Sequence, residues 1–330
     1  MHILDSSDIA LVAALQRAPR AGFATLARVL DTAPSTVSRR YARLVEQRFL
    51  HVTISIPWSA QGTGHPSSLL LSCRPGTSSR VASELARLDG MQAVLLMAGS
   101  ADVHAILHPT GGITTTLLED VPAIDGVERT RTGLILGTAS RAGDWLLPGV
   151  LTPGQEDLLR AAAPAPTAPP STLRPIERRL LGALIQDGRL SIQEAAQHLG
   201  VSRTTASRLL SSLVDSGFAR PRIDIEPALL GHPLGLFVSL TTHPAHAEAT
   251  LTRLAEHPAV RFSAMVTGDA TILAHVALRD ERAAREFLTA DIGSFEGVQS
   301  VSTSTLLRTV RRNWHDVDAD GRLGPSSQSL

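Results

Sequence analysis

The chain has 330 residues, of which 43% are hydrophobic and 19% charged, and its formal net charge is zero. This balance is typical of a globular protein that can bury several cores, and it argues against a protein that coats nucleic acid over its whole surface. Cys73 is the only cysteine, which excludes an intrachain disulfide and a cysteine-based zinc site. The sequence has neither a long apolar run nor a basic-then-apolar N-terminus, so we expect a cytoplasmic protein.

The sequence repeats itself at a spacing of 169 residues. The segment STVSRR, which begins at Ser35, aligns without a gap on TTASRL, which begins at Thr204. Towards the end of each copy the spacing becomes 171, since Gly126 aligns with Gly297. A repeat of this length indicates duplicated domains and not a solenoid of short units.

Each copy begins with three predicted helices. Leucines at helical spacing predict a first helix over residues 4–17 and 173–187, and a second helix is predicted over 23–30 and 191–199. In the second copy, Ser191 and Glu194 predict a capping box, Gly200 a C-cap, and Ser202 the N-cap of the third helix. In the first copy, Pro34 takes the first position of the third helix. Three short helices with a tight turn before the third are typical of a helix-turn-helix.

The third helix of each copy has the composition of a DNA recognition helix. One face is apolar and must pack inward, whereas the other carries short hydroxyls and arginines that can contact bases and phosphates in a major groove. The predicted DNA-binding residues are Ser35, Thr36, Ser38, Arg39, Arg40 and Arg43 in the first copy and Arg203, Thr204, Thr205, Ser207 and Arg208 in the second. The alternative is an ordinary solvated face, and the presence of the pattern in both copies argues against it.

The remainder of each copy predicts a different fold. A strand over 52–56 or 220–225 follows the third helix and could form a wing beside it. Strands and helices then follow in the order βαββαβ, over residues 234–306 in the second copy and 67–136 in the first, where the second helix, around 112–118, has poor helix formers. This order predicts a ferredoxin-like sheet with two helices on one face, so the fold class is α+β. The open face must pack on another sheet, which the second copy can supply.

These features resemble the Lrp/AsnC family of feast/famine transcription regulators. The helix-turn-helix, the segment RIDIEPALLGHPLGLFVSL and the strand turn in VTGDATILAHV carry the resemblance, which covers most of each copy. It implies that the βαββαβ part binds an effector and mediates assembly, and that a Gly-Asp turn lies near the effector. The corresponding residues are Thr267, Gly268 and Asp269 in the second copy and Gly99, Ser100 and Asp102 in the first. A glycine permits close approach and an aspartate can pair with an ammonium group; the alternative is that both residues serve turn geometry alone.

The resemblance and the repeat together predict the domain boundaries. The run from Ala161 to Pro170 is rich in proline and alanine and predicts a linker, and the polar C-terminus predicts a disordered tail. The expected division is 1–60 and 173–228 for two winged helix-turn-helix domains, 61–142 and 229–314 for two ferredoxin-like domains, 143–172 for the linker and 315–330 for the tail.

The sequence thus predicts a sequence-specific transcriptional regulator that binds double-stranded DNA as a covalent pseudo-dimer, self-associates further and responds to an amino acid or related metabolite. We expect no membrane contact, cofactor or metal, and a nucleoid location when the protein is bound to DNA. Because the common catalytic motifs are missing, we do not expect an enzyme.

Two alternatives stay open. One is a metabolite sensor without DNA binding. The other is an enzyme like the sirohaem decarboxylases, which have a tandem Lrp-like architecture. For that enzyme the candidate metal or acid–base groups are His104, His108, His243, His246 and His257.

Overall fold

The computed structural model describes residues 4–57, 65–108, 113–140, 145–162 and 173–328. The helices are α1 Ser6–Arg17, α2 Phe23–Val29, α3 Pro34–Glu46, α4 Ser78–Leu85, α5 over 113–123, α6 Pro153–Ala162, α7 Pro175–Gln186, α8 Ile192–Leu199, α9 Arg203–Asp215, α10 Ala247–Glu256 and α11 over 281–294. The strands are β1 Leu50–Ser55, β2 Ser67–Cys73, β3 Met91–Gly99, β4 Val103–Leu107, β5 Val127–Ser140, β6 Arg220–Ile225, β7 Leu234–Thr242, β8 Val260–Val266, β9 Ile272–Leu278, β10 Val298–Arg312, β11 His315–Val317 and β12 Leu323–Ser326.

The chain divides into two compact units that group like parts of the two copies. One unit contains residues 4–62, 146–226 and 322–330, and it therefore holds both helix-turn-helix segments. The other contains 63–145 and 227–321, with both βαββαβ segments. The predicted α+β fold of two helix-turn-helix and two ferredoxin-like parts is confirmed.

The predicted helix ends in the helix-turn-helix unit are confirmed by their terminal hydrogen bonds. Ser191 and Glu194 form the capping box of α8, and Gly200 ends that helix with φ +70°. The Ser202 side chain accepts a hydrogen bond from a backbone N–H in the first turn of α9. Pro34 begins α3, where no side chain caps the helix. Local sequence signals therefore determine where α3 and α9 start.

The two expected wings pair with each other. Strand β1 is antiparallel to β6, with Leu50 opposite Ile225 and Ser55 opposite Arg220. Each strand buries alternate apolar residues. A single unpaired strand would leave its backbone N–H and C=O groups without partners in a sheet. Pairing of β1 with β6 supplies partners for these backbone groups. It also joins the two helix-turn-helix segments, which we call the first head (residues 4–57) and the second head (residues 173–226), in one unit.

The second unit is a closed eight-stranded sheet. The first copy contributes the order β3-β4-β2-β5 and the second the order β10-β7-β9-β8, and each is the ferredoxin-like arrangement. The copies join at both edges, where β5 pairs with β8 and β10 pairs with β3. We predicted that the two sheets pack face to face, and the structure shows in addition that their edges are hydrogen-bonded. This closure leaves no unpaired edge among these eight strands, and unpaired edges are a liability in a sheet.

The second helix of the first copy is longer than its composition predicts. Residues 113–123 are helical and include a π-helical turn at Thr116–Asp120, whose counterpart in the second copy is Phe287–Asp291. Val121 and Ile124 are buried against the sheet, so tertiary packing outweighs the weak helix propensity. The predicted start at Gly112 lies outside the described residues.

The predicted linker contains a helix, which corrects the sequence interpretation. In α6, Leu159 is fully buried, Gln155 Nε2 donates to the Val29 carbonyl at 2.7 Å, and Glu156 pairs with Arg17. The segment after Pro153 has good helix formers, and its apolar side packs on α1 and α2. The proline-rich part over 163–172 lies outside the described residues.

The predicted disordered tail is also ordered as far as residue 328. Strand β11 pairs with the end of β10, where Arg311 pairs with Asp316. Further on, Leu323 is buried and its N–H donates to the Arg48 carbonyl. A few apolar and ionic anchors therefore hold a segment whose average composition is polar.

Candidate functional site

Helix α3 exposes part of the predicted recognition face of the first head. Its apolar side is anchored by Val37 and Leu44, which are buried, and this leaves Ser35 and Arg39 exposed. Thr36 and Ser38 are half-buried. The residues nearest the N-terminus of the helix are those that a major groove would meet first.

Two of the predicted arginines on α3 are engaged within the head itself. Arg40 Nη1 lies 2.9 Å from Asp5 Oδ2 and 2.7 Å from Asp8 Oδ1, and Arg43 pairs with Asp8 as well. The Arg40 guanidinium lowers the pKa of Asp5, and the same contacts raise the pKa of Arg40. These arginines connect α3 to α1, a role that the sequence interpretation missed because Asp5 and Asp8 lie far from them along the chain.

Helix α9 presents a different surface in the second head. Arg203, Thr204 and Arg208 are exposed, whereas Ser207 is half-buried. Thr205 is also half-buried, and its hydroxyl contacts the capping Ser202. Leu209 and Ser212 stand where the first copy has Arg40 and Arg43, so α9 has no counterpart of that connection. Within the described part of the chain, neither Arg39 nor Arg208 forms an ion pair, and both are available to an external anion.

A pair of equivalent arginines locks the two heads together. Arg20 donates to the carbonyls of Gly188 and Leu190, the latter at 3.0 Å. Its counterpart Arg189 donates to the carbonyls of Pro19 and Ala21 at 2.7 and 2.8 Å. Every residue in the first set lies 169 positions from its partner in the second, so the contact has pseudo-twofold symmetry.

The two arginines of this contact are half-buried, and one of them also stacks on aromatic rings. Burial lowers the pKa of both guanidiniums, and the guanidinium of Arg189 lies 4.8 Å from the ring centroid of Phe23 and 5.2 Å from that of Tyr41. The second copy has Ile192 and Leu210 at the ring positions, so Arg20 lacks this stacking. Half-buried arginines that donate to backbone carbonyls hold their elements in one geometry.

The predicted effector turn of the second copy lies on an open cleft of about 380 Å³ in the sheet unit. Thr267, Gly268 and Asp269 line it, together with Ser100 from the first copy. The structure therefore brings four of the six predicted effector residues to one place. Arg131 also lines this cleft and was missed by the sequence interpretation, because only the fold brings the middle of β5 opposite the second-copy turn.

The corresponding turn of the first copy is closed. Asp102 Oδ2 accepts from the Cys73 N–H at 2.7 Å, and Ser304 Oγ accepts from the Ser100 N–H at 2.9 Å. A side chain at Gly99 would lie 2.8 Å from Ser304 Oγ. Neither Gly99 nor Asp102 lines the open cleft. These contacts of Gly99 and Asp102 favour our alternative interpretation for the first copy, in which both residues serve turn geometry.

A histidine pair lies beneath the cleft, with His104 fully buried and His275 half-buried. Ser68, on the cleft wall, contacts His104 Nε2 at 3.0 Å, and His104 Nδ1 lies 3.1 Å from His275 Nε2. Burial lowers the pKa of His104 to about 3 and also lowers the pKa of His275. Both rings are therefore neutral at physiological pH.

The buried pair predicts a pH-dependent stability. Because the folded-state pKa lies below the unfolded value of 6.5, the unfolded chain binds more protons, and stability is lost as the pH falls below about 6.5 towards 3. We expect the lowered pKa of His104 to cost about 2 kcal/mol between pH 7 and pH 5, and the lowered pKa of His275 to add to this loss. The variant His104→Leu with His275→Ile carries the residues that the other copy has at these positions. Urea unfolding at the two pH values should show a smaller difference for the variant; an equal difference would assign the pH dependence to other groups.

Three family models match separate parts of the chain. An AsnC-type helix-turn-helix domain matches residues 4–45, a winged helix-turn-helix DNA-binding domain matches 173–220, and the Lrp/AsnC ligand binding domain matches 236–314. The chain belongs to the Lrp/AsnC family. The two helix-turn-helix matches and the second sheet domain agree with a tandem form of this family.

Curated Lrp/AsnC relatives align with one copy at a time. An uncharacterized HTH-type transcriptional regulator of Pyrococcus horikoshii is 28% identical over 132 residues, which is 40% of this chain and 84% of the relative. The Bkd operon transcriptional regulator of Pseudomonas aeruginosa is 28% identical over 141 residues, 41% of this chain and 91% of the relative. Single-copy relatives thus match less than half of this tandem chain.

A solved enzyme structure matches nearly the whole chain and corrects one prediction. The siroheme decarboxylase NirDL has a TM-score of 0.58, covers 93% of both chains and is 12% identical. Our prediction that the chain is not an enzyme is therefore wrong, because the solved structure that matches nearly the whole chain is that of an enzyme. At this identity the likeness is one of fold.

Within the described ranges, no helix is long and apolar enough to cross a membrane. In the same part of the chain, no cluster of three or more His, Cys, Asp or Glu side chains could hold a metal ion.

Proposed function

We propose that the chain is a DNA-binding transcriptional regulator whose two heads act as a covalent pseudo-dimer. The observation that carries this proposal is the reciprocal contact of Arg20 and Arg189, which holds two recognition helices in one unit. Dimeric helix-turn-helix proteins obtain two such helices from two chains. Here one chain supplies both, and further self-association of the chain would add more.

The two heads would read unequal half-sites. Helix α3 exposes Ser35 and Arg39, whereas α9 exposes Arg203, Thr204 and Arg208. Different side chains favour different bases, and half-sites must be spaced by one turn of DNA, about 34 Å, or a multiple of it. The proposed operator is thus an imperfect palindrome.

The cleft at Gly268 would bind the effector that controls this activity. It has the size of a small metabolite site and is lined by hydroxyls, one arginine and one aspartate. An amino acid or related metabolite fits this chemistry because it carries both charges.

Selection of bound genomic fragments, with and without a panel of amino acids, tests this function. We expect fragments that share two unequal half-sites, with recovery that falls steeply as salt rises and changes with at least one amino acid. Recovery of no fragment at any salt concentration would favour the sensor without DNA binding. Strictly palindromic sites would contradict the pseudo-dimer.

A second candidate function is decarboxylation of a sirohaem-like tetrapyrrole, and the whole-chain fold likeness to a siroheme decarboxylase supports it. The purified protein would be incubated with sirohaem under reducing conditions, and the carboxyl groups lost would be followed by mass spectrometry. Loss of carboxyl groups would support the enzyme. An unchanged substrate together with sequence-specific DNA binding would support the regulator.

A further inference from the structure

The open cleft lies across the pseudo-twofold relation between the copies. Its walls contain residues together with their own counterparts: Leu70 with Ser239, and Ser100 with Asp269, each 169 positions apart. Arg131 and Ser302 form a third pair in the last strands, where the spacing is 171. The strand register agrees, since Leu70 is opposite Arg131 and Ser239 is opposite Ser302. The cleft is thus one site shared by both copies.

The paired positions differ in charge, so the cleft has a positive and a negative group that can orient a ligand. One copy has Arg131 where the other has a serine, and one has Asp269 where the other has a serine. Arg131 Nη2 donates to the Ser100 carbonyl at 3.0 Å, which fixes the guanidinium over the cleft. Its Nη1 lies 3.9 Å from Asp269 Oδ2, too far for a hydrogen bond, and the two side chains are 40% and 84% exposed. The Arg131 guanidinium and the Asp269 carboxylate are therefore both accessible to a ligand.

Beside the first-copy turn, the space that corresponds to the second-copy side of the cleft is occupied by a serine. At the first-copy turn, Ser304 Oγ takes the N–H of Ser100 and contacts Ser100 Oγ at 3.0 Å. The counterpart of Ser304 is Gly133, which has no side chain to do this at the second-copy turn. A Cβ atom at Gly268 would meet nothing closer than the Thr132 carbonyl oxygen at 3.8 Å. Only the second-copy turn therefore keeps free space beside its glycine.

We propose that each chain binds one ligand, not two, with its carboxylate on Arg131 and its amino group on Asp269. A guanidinium can hold a carboxylate with two parallel hydrogen bonds, and the hydroxyls of Ser239, Thr241 and Ser300 supply neutral partners for the rest. Arg131 is then a ligand-anchoring residue, and the duplicated chain has replaced two equivalent sites by a single oriented one. This inference rests on the effector control proposed above.

Isothermal titration of the full chain with each of the twenty standard L-amino acids tests the stoichiometry. We expect at least one amino acid to bind with one molecule per chain. A stoichiometry of two, or no binding by any of the twenty, would overturn the proposal.

Variants of the anchor test the orientation. For the bound amino acid, Arg131→Gln and Asp269→Asn should each lower affinity at least tenfold. Arg129→Gln, which removes the same charge from an exposed position on the same strand, should leave affinity unchanged. Equal affinity of Arg131→Gln and Arg129→Gln would overturn the role of Arg131.

DNA binding without amino acid separates this inference from the proposed function. Arg131→Gln should bind selected DNA as the unaltered chain does but lose the response to the amino acid. Failure of the unaltered chain to bind any DNA would contradict the regulator and leave the stoichiometry and anchor results standing on their own.

Discussion

Replacing Arg39 and Arg208 together by alanine is expected to lower affinity for a selected operator roughly 100-fold, because each would lose a charged contact worth about 1–3 kcal/mol. If both arginines contact phosphate, the slope of log affinity against log salt should also fall by about 2. Both side chains are exposed, Arg39 on α3 and Arg208 on α9, so their removal leaves the buried faces of these helices intact. Fluorescence anisotropy with a labelled operator at several salt concentrations measures both quantities.

The matched control is the variant Arg282→Ala with Arg285→Ala. These arginines are exposed on α11 of the sheet unit, and their removal changes net charge by the same amount. Its affinity should be close to that of the unaltered chain. If both double variants lost affinity equally, the effect would be one of overall charge and the recognition-helix assignment would be wrong.

Replacing Arg189 by alanine is expected to lower the free energy of unfolding of the helix-turn-helix unit by about 3 kcal/mol. The change leaves the carbonyls of Pro19 and Ala21 without their charged donor and removes the stacking on Phe23 and Tyr41. Arg20→Ala should cost less, because the counterparts of Phe23 and Tyr41 in the other copy are Ile192 and Leu210, which are not aromatic. Urea unfolding measures both variants.

Arg179→Ala is the control for this prediction, since Arg179 is exposed and donates to the His198 carbonyl within a single head. We expect a loss of less than about 1 kcal/mol from it. If Arg189→Ala were no less stable than Arg179→Ala, the arginine contact would contribute little, and the heads would be held by the β1–β6 pairing and the apolar packing around it.

Much of the fold could be predicted because it is encoded locally. The capping box at Ser191 and Glu194, the αL glycine at position 200 and the alternation of apolar residues in the strands all act over a few residues. Because of the repeat, each element could be predicted from two aligned segments of the chain. Together these signals are enough for helix-turn-helix and ferredoxin-like parts.

The features that could not be predicted depend on contacts between distant residues. Strand β1 pairs with β6, and the eight-stranded sheet is closed by pairs between the copies. The composition of an edge strand does not specify which other strand it pairs with. The ordered segment after Trp314 was missed for the same reason, because Leu323 is buried next to Arg48, which lies far from it along the chain.

The candidate sites divide along the same line. The exposed positions of Arg39 and Arg208 follow from helical periodicity, so the sequence was sufficient for them. The engagement of Arg40 with Asp5 and Asp8, and the place of Arg131 in the cleft, arise from tertiary packing. The difference between the two turns was visible in the sequence as Asp269 against Ser100, but its consequence depends on Ser304, which lies in a distant strand.

Hydroxyl-radical footprinting of a selected operator with the single variants Arg39→Ala and Arg208→Ala tests the central claim most directly. If one chain places two different heads on adjacent half-sites, each variant should lose protection over a different half-site, with the two regions one helical turn apart or a multiple of it. Loss of protection from the same half-site in both variants, or evenly over both half-sites, would contradict the covalent pseudo-dimer.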